Sequence, residues 1–207
     1  MINENLIFFM KTALPALAVI SALVSCGCKD TGAGFTEAEK SLIQSSGQVM
    51  RVLTVTDPQD SLFLRESCTD PSVDDIMSDT YARLAELMVA TVTSPEQDGV
   101  GIAGPQVGIG RRIVAVQRYD KQDMPFEVYP NVSIIAVRGD KQPGGEGCLS
   151  VPDRYGEVER WQDIDIRYVS PKSGADTVEN VKGYSAVIFQ HETDHLDGVL
   201  YIDRIIN

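Results

Sequence analysis

Gln190-His191-Glu192-Thr193-Asp194-His195-Leu196-Asp197-Gly198 is the stretch on which the reading of this chain turns. It holds both histidines of the 207-residue sequence, in the pattern HExxH. Residues four apart on an α-helix stack on one face, so a helix here presents two imidazoles to one ion, with Glu192 beside them as a base. Val187, Ile188 and Leu196 give that helix a side to bury, and Gly198 is a natural stop, so a helix is predicted from about Ser185 to Leu196. Two imidazoles do not complete a catalytic site, and a third ligand has to come from elsewhere.

Upstream of the helix, β-branched and aromatic residues recur between turn signals. Strands are predicted at Phe126–Tyr129, Val132–Val137, Gly156–Arg160, Asp163–Tyr168 and Thr177–Val181, with Ile113–Val116 as a buried strand. Gly99–Gly110 reads as a glycine-rich loop. Before it, Pro71-Ser72-Val73-Asp74-Asp75 opens a helix that runs to about Thr93, with Ile76, Tyr81, Leu84, Leu87 and Met88 on one apolar face. A short capped helix follows Thr36, and Val52–Val55 reads as a short strand. Helices, then antiparallel-type strands, then one more helix make an α+β fold, with antiparallel sheets packed around the C-terminal HExxH helix.

The third ligand can be sought by elimination. The extended pattern HExxHxxGxxH is matched as far as Gly198, but its last position is Tyr201, and the twelve residues after His195 include no Glu. Asp203 is a weaker option. Cys148 is the better candidate, in Gly145-Glu146-Gly147-Cys148-Leu149-Ser150, because two imidazoles and a thiolate leave one tetrahedral position open, as a catalytic ion requires. The bland readings of Cys148 are a buried apolar thiol or a bridge to Cys68; either leaves the HExxH helix short of ligands.

Composition narrows the partners. A net charge of −12 argues against nucleic acid, whose binders need clustered Lys and Arg. At this length one globular domain is expected, over 36–207, and a monomer. The N-terminal segment reads differently. Lys11, an apolar run from Ala13 to Val24, and Leu23-Val24-Ser25-Cys26 look like a bacterial lipoprotein signal over residues 1–25, with Met10 a better start than Met1. Cys26 is then the lipidation site, residues 26–35 a tether, and the protein is exported and held at a membrane by its lipid.

Three segments together resemble the peptide deformylase family over roughly residues 50–205: Gly99-Val100-Gly101-Ile102-Ala103-Gly104-Pro105-Gln106, like that family's GxGxAAxQ loop; Glu146-Gly147-Cys148-Leu149-Ser150; and Gln190 to Gly198. The resemblance implies that Cys148, His191 and His195 bind one divalent ion, Fe²⁺ or Zn²⁺, with Ni²⁺ or Co²⁺ also suited to the donors. It makes Glu192 the general acid/base, and Gln106 with the Leu149 N–H the oxyanion donors. It makes Gly101 a position that leaves room for substrate backbone, and it draws a pocket for a methionine-like side chain from Val100, Leu149, Val187 and Ile188. The implied reaction removes the formyl group from formyl-methionyl peptides and releases formate. Gly104 departs from the family's second alanine, which implies a looser loop. The competing functions are a non-catalytic peptide-binding lipoprotein and an amidohydrolase acting on another N-acyl peptide.

Overall fold

The computed structural model describes residues 34–206. The expected lipidation site Cys26 and the signal assigned to residues 1–25 lie outside the described residues. Phe35, placed in the tether by the sequence reading, is buried in the body and donates its N–H to Asp75 at 3.0 Å.

Helix α1 (Glu37–Ser45) starts as expected, with Thr36 and Glu39 forming a capping box. The long helix expected from residue 71 is instead two, α3 (Val73–Ile76) and α4 (Asp79–Val92). Two caps explain the break: Ser72 accepts from the Asp75 N–H and Ser78 from the Tyr81 N–H, so the chain turns at Met77 and restarts. The expected apolar face survives, with Ile76, Tyr81, Leu84, Leu87 and Met88 all buried. Sequence reading missed α2 (Pro58–Phe63), although Asp57 as cap and Pro58 in the first turn announce it. Val52–Val55 is not a ladder strand, and Val55 already lies in a turn. Leu53 donates to the Gln106 carbonyl and Val55 to the Ser150 carbonyl, so alternate residues bond to two different elements.

Two three-stranded antiparallel sheets follow. The first, in the order β1 (Gly101–Ala103), β2 (Ile113–Gln117) and β3 (Phe126–Pro130), shows that the glycine-rich stretch is not simply a loop: it contains β1 and a 3-10 turn, Gly104–Val107. The second sheet runs β4 (Ser133–Cys148), β5 (Val151–Val169) and β6 (Asp176–Lys182). The two strands expected at Gly156–Arg160 and Asp163–Tyr168 are one 19-residue strand, β5, because Trp161 between them continues the pairing with β4, opposite Lys141.

Helix α5 (Tyr184–Leu196) packs against both sheets. Ala186, Ile188, Phe189 and Leu196 join Val114 and Val116 of the first sheet and Ile164, Ile166 and Val181 of the second in one apolar cluster. Full burial of Phe189 and Leu196 contributes about 1.5–3 kcal/mol each. The helix stops at Gly198, whose φ of +70° suits glycine. A second cluster lies between α1, α4 and the first sheet, and a third, smaller one joins Val151 and Val158 of β5 to Leu200 and Tyr201. The α+β architecture read from the sequence is the one observed.

Candidate active site

The β4–β5 hairpin and α5 bring the distant motifs together. Strand β4 ends at Cys148, which pairs with Val151 across the turn Leu149-Ser150, and a register shift between Glu146 and Cys148 marks an irregularity in the ladder there. On α5, His191 and His195 share one face as the four-residue spacing requires, their rings edge-on with centroids 5.2 Å apart. The ligand atoms of Cys148, His191 and His195 all lie within 4.8 Å of one another, and Cys148 Sγ stands 3.2 Å from His195 Nε2. Tetrahedral coordination by a thiolate and imidazoles spaces its donors by roughly 3.3–3.6 Å, so this set fits a divalent ion of the zinc or iron type.

Neighbouring groups orient the rings. His191 Nδ1 bonds to Glu146 Oε2 at 2.8 Å, which leaves Nε2 as its donor atom. Glu146 is gripped by Arg160 through Nε at 2.8 Å and a terminal nitrogen at 3.1 Å. Arg160 also reaches Asp194 at 2.6 Å, and Arg204 from the C-terminal tail grips Asp194 at 2.5 and 2.6 Å. Burial alone would raise the Glu146 carboxyl, but its bonds to His191 and Arg160 hold it down at about 2. Burial likewise opposes charge on His191, yet the Cys148 sulfur and Glu146 override it and push that ring well above its ordinary value. His195 goes the other way, pushed down by burial and then by the charge of His191.

Two buried polar atoms at this place have no partner among the described residues: Glu192 Oε2 and His195 Nδ1. Burial pushes Glu192 up to about 7. Its carboxyl also explains Gly101, because a Cβ at that position would lie 2.5 Å from Glu192 Oε1 and 2.7 Å from Ile188 Cγ2. The glycine therefore admits the catalytic-type helix itself, a close approach that the sequence reading had assigned to substrate. Gly104 is similar. A Cβ there would meet the Arg111 and Ile109 carbonyls at 2.7 and 2.8 Å, so this glycine tightens the 3-10 turn, contrary to the looser loop expected.

Gln106, buried on that turn, is fixed at both ends of its amide. Oε1 accepts from the Ala103 N–H at 2.8 Å, which aims Nε2 at Ser150 Oγ (3.2 Å) and Cys148 Sγ (3.6 Å). A cleft of 670 Å³ opens over these groups. Val100, Gly101, Leu149, Val187 and Ile188 line it, as do Gln106, Cys148, His191 and Glu192. His195 lies behind them, fully buried. Cys68 is a free thiol, as is Cys148, and packs in the apolar cluster of the two sheets, where burial pushes its pKa up to about 12. The bridge considered from the sequence is not formed. Missed altogether were Arg160 and Asp194 as supports of His191, and Tyr201, whose ring stacks on it at 5.9 Å.

Fold and site define a class first: a hydrolase built on an HExxH helix with a thiolate from a facing hairpin. A family model, that of polypeptide deformylase, matches residues 49–207. The peptide deformylase of Caulobacter vibrioides is 34% identical over 158 residues, covering 76% of this chain and 88% of that protein. That of Desulforudis audaxviator is 39% identical over 122 residues, 59% of this chain and 75% of its own length. Among solved structures, a class I type b peptide deformylase from Acinetobacter baumannii superposes with a TM-score of 0.68 at 34% identity, over 76% of this chain and all of that one. The same enzyme bound to Met-Ala-Ser gives 0.67 at 33% identity, over 76% and 98%. The chain belongs to the peptide deformylase family, a family of hydrolases.

Proposed function

We propose that this protein removes the formyl group from formyl-methionyl peptides by metal-dependent hydrolysis, releasing formate. The observation that carries the reading is the unpartnered Glu192 Oε2, buried at the floor of the cleft beside the Cys148, His191 and His195 donors. A buried carboxylate oxygen without a partner is costly, and it is retained where a reacting group is to meet it. Cys148 Sγ, His191 Nε2 and His195 Nε2 would hold the ion, Fe²⁺ or Zn²⁺. A divalent ion there supplies Lewis acidity, polarising a carbonyl and lowering the pKa of water toward neutrality.

The chain's own residues then do the following. Glu192 Oε2 accepts the proton of the attacking water and returns it to the departing amine nitrogen; a carboxyl held near neutrality suits both transfers. Gln106 Nε2, aimed by the Ala103 N–H, donates to the formyl oxygen as that atom gains charge, and the Leu149 N–H is the second donor. A neutral amide donates without competing for the ion. Val100, Leu149, Val187 and Ile188 offer an apolar wall to a methionine side chain. Met-Ala-Ser, bound in the Acinetobacter baumannii enzyme, has the chemistry expected of the product.

Formate release from formyl-Met-Ala-Ser tests the reading. Wild-type protein should release it, a chelator should stop it, and Glu192→Ala should slow it by about 10²–10⁴-fold with the metal still bound. Peptide binding without turnover by metal-replete wild type would sink the hydrolase reading in favour of a binding module. Faster release of another acyl group would move the substrate class.

A further inference from the structure

The family match begins at residue 49, and ahead of it stands a folded segment, residues 34–45, that the chemistry in the cleft does not use. Its side chains are built into the body: Phe35 and Ile43 are buried in the cluster that also takes Val107 and Ile109. One ion pair fastens it. Arg111, only 4% exposed, donates from Nε to both Glu39 oxygens at 2.9 and 3.1 Å. A terminal nitrogen of the same guanidinium donates to Glu39 Oε2 at 2.8 Å and to the Gly34 carbonyl at 2.7 Å. Glu39 also closes the capping box of α1 with Thr36, so one carboxylate both starts the helix and holds it to the body. Burial alone would raise that carboxyl, and its bonds to Arg111 and Thr36 keep it below its ordinary value. Stability is a weak reason for such a pair, since apolar side chains of similar volume often serve as well or better.

The backbone of Arg111 abuts the turn that carries Gln106. Its carbonyl lies 2.7 Å from where a Gly104 Cβ would stand, and its N–H donates to the Ile109 carbonyl at 2.8 Å. Ile109 in turn donates its N–H to the Gly104 carbonyl at 2.9 Å, so Arg111 and the turn form one hydrogen-bonded unit. From α1 itself, Leu42 Cδ2 comes within 3.3 Å of the Cβ position at Gly108, the left-handed residue that ends the turn. Leu53, on the stretch that follows α1, donates its N–H to the Gln106 carbonyl at 2.8 Å. A four-residue 3-10 turn has poor hydrogen-bond geometry of its own, and an oxyanion donor has to be held to within about 0.5 Å. We propose that Glu39 and Arg111 are positioning residues for Gln106, and that residues 34–45 brace the turn from which its amide reaches the formyl oxygen. The proposal rests on the deformylase reading of the cleft and adds two residues that do not line it, one of them outside the family match.

Two variants of the full-length, metal-loaded protein test it. Glu39→Gln removes the charge but keeps a side chain that can close the capping box, so α1 still starts. Glu39→Leu with Arg111→Met removes the pair without leaving either charge buried alone, which guards the fold. Each should lower kcat for formyl-Met-Ala-Ser by about 3–30-fold, less than deletion of an oxyanion donor costs, with KM and metal affinity unchanged. In a Gln106→Leu background the same changes should cost less than about twofold, because the group they position is gone. The Ala103 N–H, held by Gln106 Oε1 at 2.8 Å, should exchange with deuterium faster in both variants, relative to Ala115 in the same sheet. Unchanged kcat in both variants, or a full loss retained in the Gln106→Leu background, would overturn the proposal, as would an Ala103 rate that keeps pace with Ala115. No formate from wild type would remove the deformylase reading instead, and the Ala103 exchange would still decide whether the segment holds Gln106 in place.

Discussion

Arg118 and Arg160 are both almost completely buried, and the networks around them end differently. Arg118 bonds to Asp120, Glu179, Glu127 and the Tyr129 hydroxyl, lies 5.7 Å from the Phe189 ring centroid, and shares Glu127 and Glu179 with Lys121. Every charged group in that cluster has an opposite charge to meet. Arg160 instead links Glu146 to Asp194, and through Glu146 reaches His191, beside which Glu192 Oε2 and His195 Nδ1 stand without partners. Taking charges out of water is costly in both places. A network that closes on itself returns only rigidity, whereas one that stops at unsatisfied atoms in a cleft is holding something ready for a ligand. That difference, more than the presence of buried charge, separates strut from site.

The sharpest way to break the comparison is to remove each arginine. Arg118→Met and Arg160→Met both leave carboxylates without their buried partner, so each should lose about 3–5 kcal/mol of stability in urea titration. Only Arg160→Met should also weaken metal binding, by about 10–100-fold in a chelator competition, because His191 loses the support of its own support. Equal metal affinity in the two variants would erase the distinction between strut and site.

A smaller test uses one tyrosine from each network. Tyr129 donates its hydroxyl to Glu127 in the strut, while Tyr201 stacks on His191 and donates to the Arg154 carbonyl at 2.7 Å. Each Tyr→Phe variant should lose about 1 kcal/mol, the worth of one hydrogen bond. Tyr201→Phe should in addition raise KM more than it lowers kcat, since Arg154 lines the mouth and the ring on His191 remains. An unchanged KM would confine Tyr201 to packing.

The two networks were unequally visible in the sequence, and for physical reasons. His191, Glu192 and His195 were legible because helical spacing alone places them together, and Cys148 because elimination left it as the donor. Arg160 was not, because its partners lie 14 and 34 residues away and nothing local distinguishes a buried arginine from a solvated one. Gly101 was legible as a close approach but not as to what approaches, which only the packing of α5 on β1 decides. The fold shows the same division. Strand composition placed β2, β3 and β6, while the length of β5 depends on continued pairing with β4 on both sides of the expected segments, which only the partner strand decides.

The smallest effect expected is in acid, and its sign can be worked out from the strut. Burial alone would raise the pKa values of Asp120 and Glu179, but hydrogen bonds from Arg118 override it and hold both below their ordinary values of 3.8 and 4.5. The unfolded chain therefore takes up protons at these carboxyls before the folded one does, so stability falls as pH drops through the ordinary range toward the lower folded values. Above that range their contribution is fully present. In Arg118→Met the main group opposing burial is gone, with Ser185 still lowering Asp120 and Lys121 still lowering Glu179, so the slope due to them should shrink. Urea midpoints at several values between pH 6 and about 3 should then fall more gently in the variant than in wild type. Parallel curves would show that Arg118 fills space between the sheets without holding its carboxylates ionised, and the strut would be a matter of packing.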